Sequence, residues 1–103
     1  MIHTRVTTRF LALLVAVFVT GCATSPPVQE MSDARQAIAA AEDADALRLS
    51  PRSLSEARRY LDEAEAQIRA RSFGMARTNA VRAKNSAVDA LQASQVASQS
   101  ADN

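Results

Sequence analysis

The chain has 103 residues, with 12 Lys and Arg against 11 Asp and Glu, one His, one Cys, no Trp, two Gly and three Pro. That is room for one small domain and excludes a multidomain enzyme. Hydrophobic residues make up 48% of the chain but aromatics only 4%, so the apolar content is chiefly alanine, which forms helix well, buries little surface and leaves a thin core. A formal charge of +1 gives no basic footprint for nucleic acid, and one cysteine excludes both an intramolecular disulfide and a multi-thiolate metal site.

Residues 1–9 are polar and carry His3, Arg5 and Arg9; residues 10–19 are continuously apolar; Thr20, Gly21 and Cys22 follow. A charged segment, an apolar segment and a small-residue cleavage site in this order read as an export signal. The apolar run has ten residues, against the roughly 20 that a membrane-spanning helix needs. The two arginines ahead of it hold that end in the cytoplasm, so the remaining chain is expected in an extracytoplasmic compartment.

Val19-Thr20-Gly21-Cys22 resembles the bacterial lipobox, with Thr20 in place of the commoner Ala or Ser. The resemblance implies cleavage between Gly21 and Cys22 and a diacylglyceryl group on Cys22. The residues themselves supply one reason to accept it: the sole thiol stands where the apolar run ends, and an unpaired thiol in an exported chain needs a role. An ordinary secretory signal followed by a free thiol is the alternative. Two or three acyl chains, at about 0.8 kcal/mol per buried methylene, anchor a small protein durably where one chain does not. Ala23 follows the cysteine; by resemblance to the sorting rule of Gram-negative envelopes, the absence of Asp there implies the outer membrane, with the domain facing the periplasm.

The expected organisation is a lipoprotein signal peptide over 1–21, a lipidated terminus and proline-containing linker over 22–30, an alanine-rich helical domain over 31–97 and a fraying tail over 98–103. Removal of 1–21 takes away Arg5 and Arg9, leaving 82 residues with ten cations against eleven anions. Pro26 and Pro27 favour extended polyproline geometry, so residues 23–29 read as a spacer.

From Met31 onward Pro51 and Gly74 are the strong breakers, and they divide the chain into three segments with helical periodicity. The first is expected over about 32–47, capped by Ser32 or Asp33, with Ala34, Ala37, Ile38, Ala41, Ala44 and Leu47 on its apolar face. Ser50-Pro51 reads as an N-cap with proline at the first helical position, and Ser53 with Glu56 offers a capping box. The second segment carries Leu54, Ala57, Leu61, Ala64 and Ile68 at alternating spacings of three and four. Arg58 with Asp62, Arg59 with Glu63 and Glu65 with Arg69 stand at i,i+4 on its outer faces.

Phe73 and Gly74 are expected to form the turn, the glycine supplying left-handed geometry and the phenylalanine an apolar plug. The third segment places Ala76, Ala80, Ala83, Ala87, Ala90, Ser94 and Ala97 in a four-three alternation, flanked by Val81, Val88 and Leu91. Arg77, Asn79, Lys84, Asn85 and Asp89 fall largely on other faces. This alanine stripe either packs inside the chain's own hairpin or receives a second chain. The fold class is therefore all-α: an antiparallel helical hairpin or small three-helix, coiled-coil-like bundle.

The alanines of the first segment, Ser50-Pro51 ahead of Leu54, Ala57, Leu61 and Ala64, and the joint Phe73-Gly74-Met75-Ala76 leading into Ala80, Ala83, Ala87 and Ala90 resemble the alanine-rich envelope lipoproteins of the domain of unknown function 4398 family. The likeness covers about two thirds of the chain and transfers no catalytic residue. The joint also resembles the turn inside a tetratricopeptide helix pair, although no 34-residue repeat recurs.

After cleavage at Cys22 the chain has no imidazole, and its thiol carries lipid, so the usual nucleophiles and proton-transfer groups are missing. Glu42, Asp43 and Asp45 lack the loop glycine and distal Glu of a calcium loop and read as a solvated helix end; no metal site is expected. Arg69 and Arg71 suit a helix C-terminus, with contact to acidic envelope polymers or lipid headgroups as their functional alternative. Fewer than about 80 residues with an alanine interior supply only roughly 3 to 5 kcal/mol. Self-association, another envelope protein, the membrane and peptidoglycan are thus the candidate partners. Three functions fit: a non-catalytic structural or interaction lipoprotein; a lipid-anchored activator of a cell-wall enzyme; and, poorest in the needed groups, a small hydrolase or ligand carrier.

Overall fold

The computed structural model describes residues 25–103. Over these residues the protein is all-α, with four helices: α1 (Val28–Asp43), the single turn α2 (Ala46–Leu49), α3 (Pro51–Arg69) and α4 (Phe73–Asp102). Helix α4 packs along both α1 and α3, which touch each other far less. Met31 clusters with Ala64 and Ala80, while Ile38 and Ala41 cluster with Leu54, Ala57, Ala87 and Ala90. Rising numbers on α1 thus meet rising numbers on α4 and falling ones on α3, an up-down-up arrangement in which α1 and α4 are parallel and α3 runs against both.

Helix α1 begins at Val28, so residues 28–30, expected as spacer, form its first turn instead, and neither Ser32 nor Asp33 is its cap. The Pro27 carbonyl accepts the first helical bond from the Met31 amide at 3.0 Å, and Pro27 itself is buried. A proline ahead of a helix leaves no orphan donor there, and the turn it starts is held by Gln29, whose Nε2 donates to Asp33 Oδ1 at 2.9 Å. The helix stops at Asp43, short of the expected Leu47, because Asp45 adopts a left-handed backbone (φ 63), a conformation that Asp tolerates better than most residues. Ala46 consequently takes the buried position and Leu47 is 67% exposed.

Helix α3 starts at Pro51 with Ser50 as N-cap residue, but neither the Ser50 hydroxyl nor the Ser53/Glu56 pair makes a capping-box bond, since the helix is already under way at Ser53. Its end is a Schellman motif. The Ser72 amide donates to the Gln67 carbonyl at 2.8 Å and the Arg71 amide to the Ile68 carbonyl at 3.0 Å. The residue in left-handed conformation is Arg71 (φ 59), and Gly74, expected to serve the turn, lies with Phe73 inside the first turn of α4. A non-glycine residue in that region costs about 1 to 2 kcal/mol, so the motif is closed by its two hydrogen bonds rather than by favourable local geometry. Helix α4 continues to Asp102 through the segment expected to fray: residues 98–103 contain no breaker, and Ser100 Oγ bonds back to the Val96 carbonyl at 3.0 Å.

Candidate functional site: the alanine seam and its charged rim

On α4, Ala76, Ala80, Ala83, Ala87, Ala90 and Ser94 are fully buried, and Ala97 is half-buried. Because alanine projects one methyl group, two helices can approach the same face of α4 together: α3 lays down Leu54, Ala57 and Ala64, with Leu61 and Ile68 partly covered, and α1 lays down Met31, Ala34, Ile38 and Ala41. The stripe is filled by the chain's own helices, and none of its six innermost positions is left for a second chain. Among the described residues, ten of the thirteen buried hydrophobic ones are alanine, so the seam works by close backbone approach more than by buried area.

Two polar residues share this interior. Ser94 Oγ returns its proton to the Ala90 carbonyl at 2.7 Å, the usual way a buried helical serine is satisfied. Asn79, expected on an outer face, is buried, and its Nδ2 donates to Gln67 Oε1 at 2.9 Å across the α3–α4 turn. The clue was its place in the row 79, 83, 86, 90, at spacings of four and three, one residue off the alanine stripe.

The rim is built of arginine–carboxylate pairs, and their partners differ from those set by helical spacing. Only Arg59 takes its expected partner, Glu63, at 2.9 Å. Arg58 reaches across to Glu42 on α1 at 2.8 Å rather than to Asp62, and Glu65 accepts from Arg35 of α1 at 3.3 Å rather than from Arg69. Arg77 of α4 donates to Glu30 of α1 at 3.0 Å and to the Ser25 carbonyl at 3.4 Å. Arg48 pairs with Asp45 at 2.7 Å across the α2 turn.

All three inter-helix pairs involve α1. Each is partly exposed, a setting in which such a pair adds roughly 0 to 1 kcal/mol; together they place α1 in register against its neighbours. Tyr60, half-buried on α3, lies under Arg59 (guanidinium carbon 4.6 Å from the ring centroid) and Arg82 of α4 (5.9 Å). Tyr60, then Glu63, moves the Arg59 guanidinium above its ordinary range.

Of the acidic group Glu42, Asp43 and Asp45, two members are engaged by arginine, and no set of three or more potential metal ligands converges among the described residues. No helix among them is long and apolar enough to cross a membrane. Gly21 and Cys22, the expected cleavage and lipidation positions, lie outside the described residues. Searches against family models, curated proteins and solved structures find no match to this chain.

Proposed function

We propose that this protein is a lipid-anchored envelope lipoprotein of the domain of unknown function 4398 type, held at the outer membrane through Cys22. Its periplasmic domain is a non-catalytic structural or protein-interaction module. The observation that carries this reading is the position of the chain's sole thiol: it stands two residues beyond the ten-residue apolar run, after Thr20 and Gly21, and three positions ahead of Ser25, whose carbonyl is already engaged by Arg77 of the bundle. A lipid at Cys22 leaves only Ala23 and Thr24 ahead of Ser25, so the domain stays near the leaflet while its own surface decides whether it touches it. Three arginine–carboxylate pairs that join α1 to its neighbours around a small-residue seam support a scaffold role, because those groups hold helices in register.

Intact-mass spectrometry on the polypeptide extracted from cells tests this. The expected result is a chain beginning at Cys22 and carrying acyl mass; a chain beginning at Met1, or one beginning at Cys22 without acyl mass, overturns it.

A further inference from the structure

The two ends of the bundle differ. One end gathers the start of α1, the end of α3 and the start of α4. Val28 is 73% and Met75 62% exposed there, although nothing in the fold requires an apolar side chain at either position. Arg69 and Arg71 stand at the same end, both exposed and neither in an ion pair among the described residues, whereas Arg77 just inside is neutralised by Glu30. Arg71 occupies the left-handed position of the Schellman motif, where glycine is the favoured residue, so the fold keeps a cation at a place that disfavours it. The opposite end carries Glu42, Asp43 and Asp45, the first and last of them paired with Arg58 and Arg48, together with exposed Leu47 and Arg52. What sets the first end apart is therefore its two adjacent unpaired arginines and its nearness to Ser25. Ser25, the first described residue, also lies at the first end, where its carbonyl meets Arg77.

From this juxtaposition we propose that the end formed by Val28, Arg69, Arg71 and Met75 is a membrane-contact surface. Its arginines lie on the phosphates of an anionic phospholipid leaflet, and its two apolar side chains enter the headgroup region. Cations near such a surface favour it and apolar tips add insertion, and the bundle then stands on the leaflet with its α2 end pointing away. The proposal deepens the lipoprotein reading and rests on it for the direction of approach, but the contact has its own readout.

Gly74 is exposed in the first turn of α4, at this end, and a Cβ added there meets nothing within 4 Å, so Gly74→Cys accepts a thiol-reactive fluorophore. Asp102→Cys serves as the distant control. The full chain, with Cys22 acylated, is reconstituted into vesicles of phosphatidylcholine with phosphatidylglycerol, or of phosphatidylcholine alone, each carrying a headgroup spin-label quencher.

The probe at position 74 should be quenched on the anionic vesicles and the probe at position 102 should not. Contact should fall about tenfold on neutral vesicles, and likewise on anionic vesicles when Arg69→Gln and Arg71→Gly are combined. Equal quenching at positions 74 and 102, or indifference to the anionic lipid, would each overturn the surface. If the extracted chain lacks acyl mass, the anchoring reading fails, while quenching at position 74 on vesicles that retain the protein still decides the contact.

Discussion

Helices α1 and α3 cover the same face of α4 in different ways. Helix α3 brings Leu54, Leu61 and Ile68 at seven-residue spacing and joins α4 through a tight turn, so its position follows from apolar periodicity and short-range connection. Helix α1 brings smaller groups, Ala34, Ile38 and Ala41 beside Met31. Its three inter-helix ion pairs supply the register that its apolar pattern leaves weak. In a seam made of methyl groups, apolar burial fixes which face is inside, and polar pairs along the rim fix how far along a helix sits.

The largest effect should come from the position both flanks share. Ala87 lies in one cluster with Ile38, Ala41, Leu54 and Ala57; a glutamate there buries an unpaired charge, which costs several kcal/mol against a total of roughly 3 to 5. Ala87→Glu should lose most of its helical circular dichroism, while Ala93→Glu, at an exposed position on the same helix, keeps the parent signal. A parental melting curve for Ala87→Glu would remove the seam from the account.

Next in size, Leu54→Ala removes the largest fully buried side chain and should destabilise by about 2 to 4 kcal/mol, read as a lower denaturant midpoint. Met31→Ala should act differently. Met31 belongs to the smaller cluster with Ala64 and Ala80, so hydrogen exchange should accelerate in α1 before it does in α3 and α4. Equal acceleration in all three helices would show that α1 is no more separable than α3.

What was legible in the sequence follows the same division. The four-three spacing of Leu54 to Ile68 and of Ala76 to Ala90 is a direct image of burial, and the structure places those residues at the interface with Leu61 and Ile68 at its edge. The ends of helices were less legible. Residues 28–30 were expected as spacer, since proline signals both extended chain and helix start, and only the packing of Met31 and the pairing of Glu30 decide between them. Partners of Arg58 and Glu65 were assigned along one helix, because sequence spacing reveals neighbours within α3 but not the carboxylate of Glu42 or the guanidinium of Arg35 brought up by α1.

The two glycine-dependent expectations invert in a way that can be measured. Gly74 has helical neighbours and open space around it, so Gly74→Ala should be neutral or stabilise by about 0.5 to 1 kcal/mol. Arg71 holds the left-handed backbone, so Arg71→Gly should stabilise by about 0.5 to 1 kcal/mol after the entropy of an added glycine is charged against the relieved strain. Thermal melts of the two variants locate the turn: a destabilised Gly74→Ala with an unaffected Arg71→Gly would move it back to where the sequence suggested.

The smallest expected effect bears most directly on how α1 is held. Glu42→Gln and Arg58→Gln each remove one member of a pair that is close to half exposed, and each should cost less than about 1 kcal/mol. The informative quantity is their coupling. If the pair contributes to register, the double variant should cost less than the sum of the two single variants by a few tenths of a kcal/mol, and the difference should vanish at about 1 M salt, where the screening length is roughly 3 Å. Leu54→Ala, whose cost is apolar burial, should change little over the same salt range. Additive costs in this cycle, repeated in the Arg35–Glu65 and Arg77–Glu30 cycles, would assign the placement of α1 to Met31 and Ile38, making it a weaker copy of α3 rather than a helix positioned by charge.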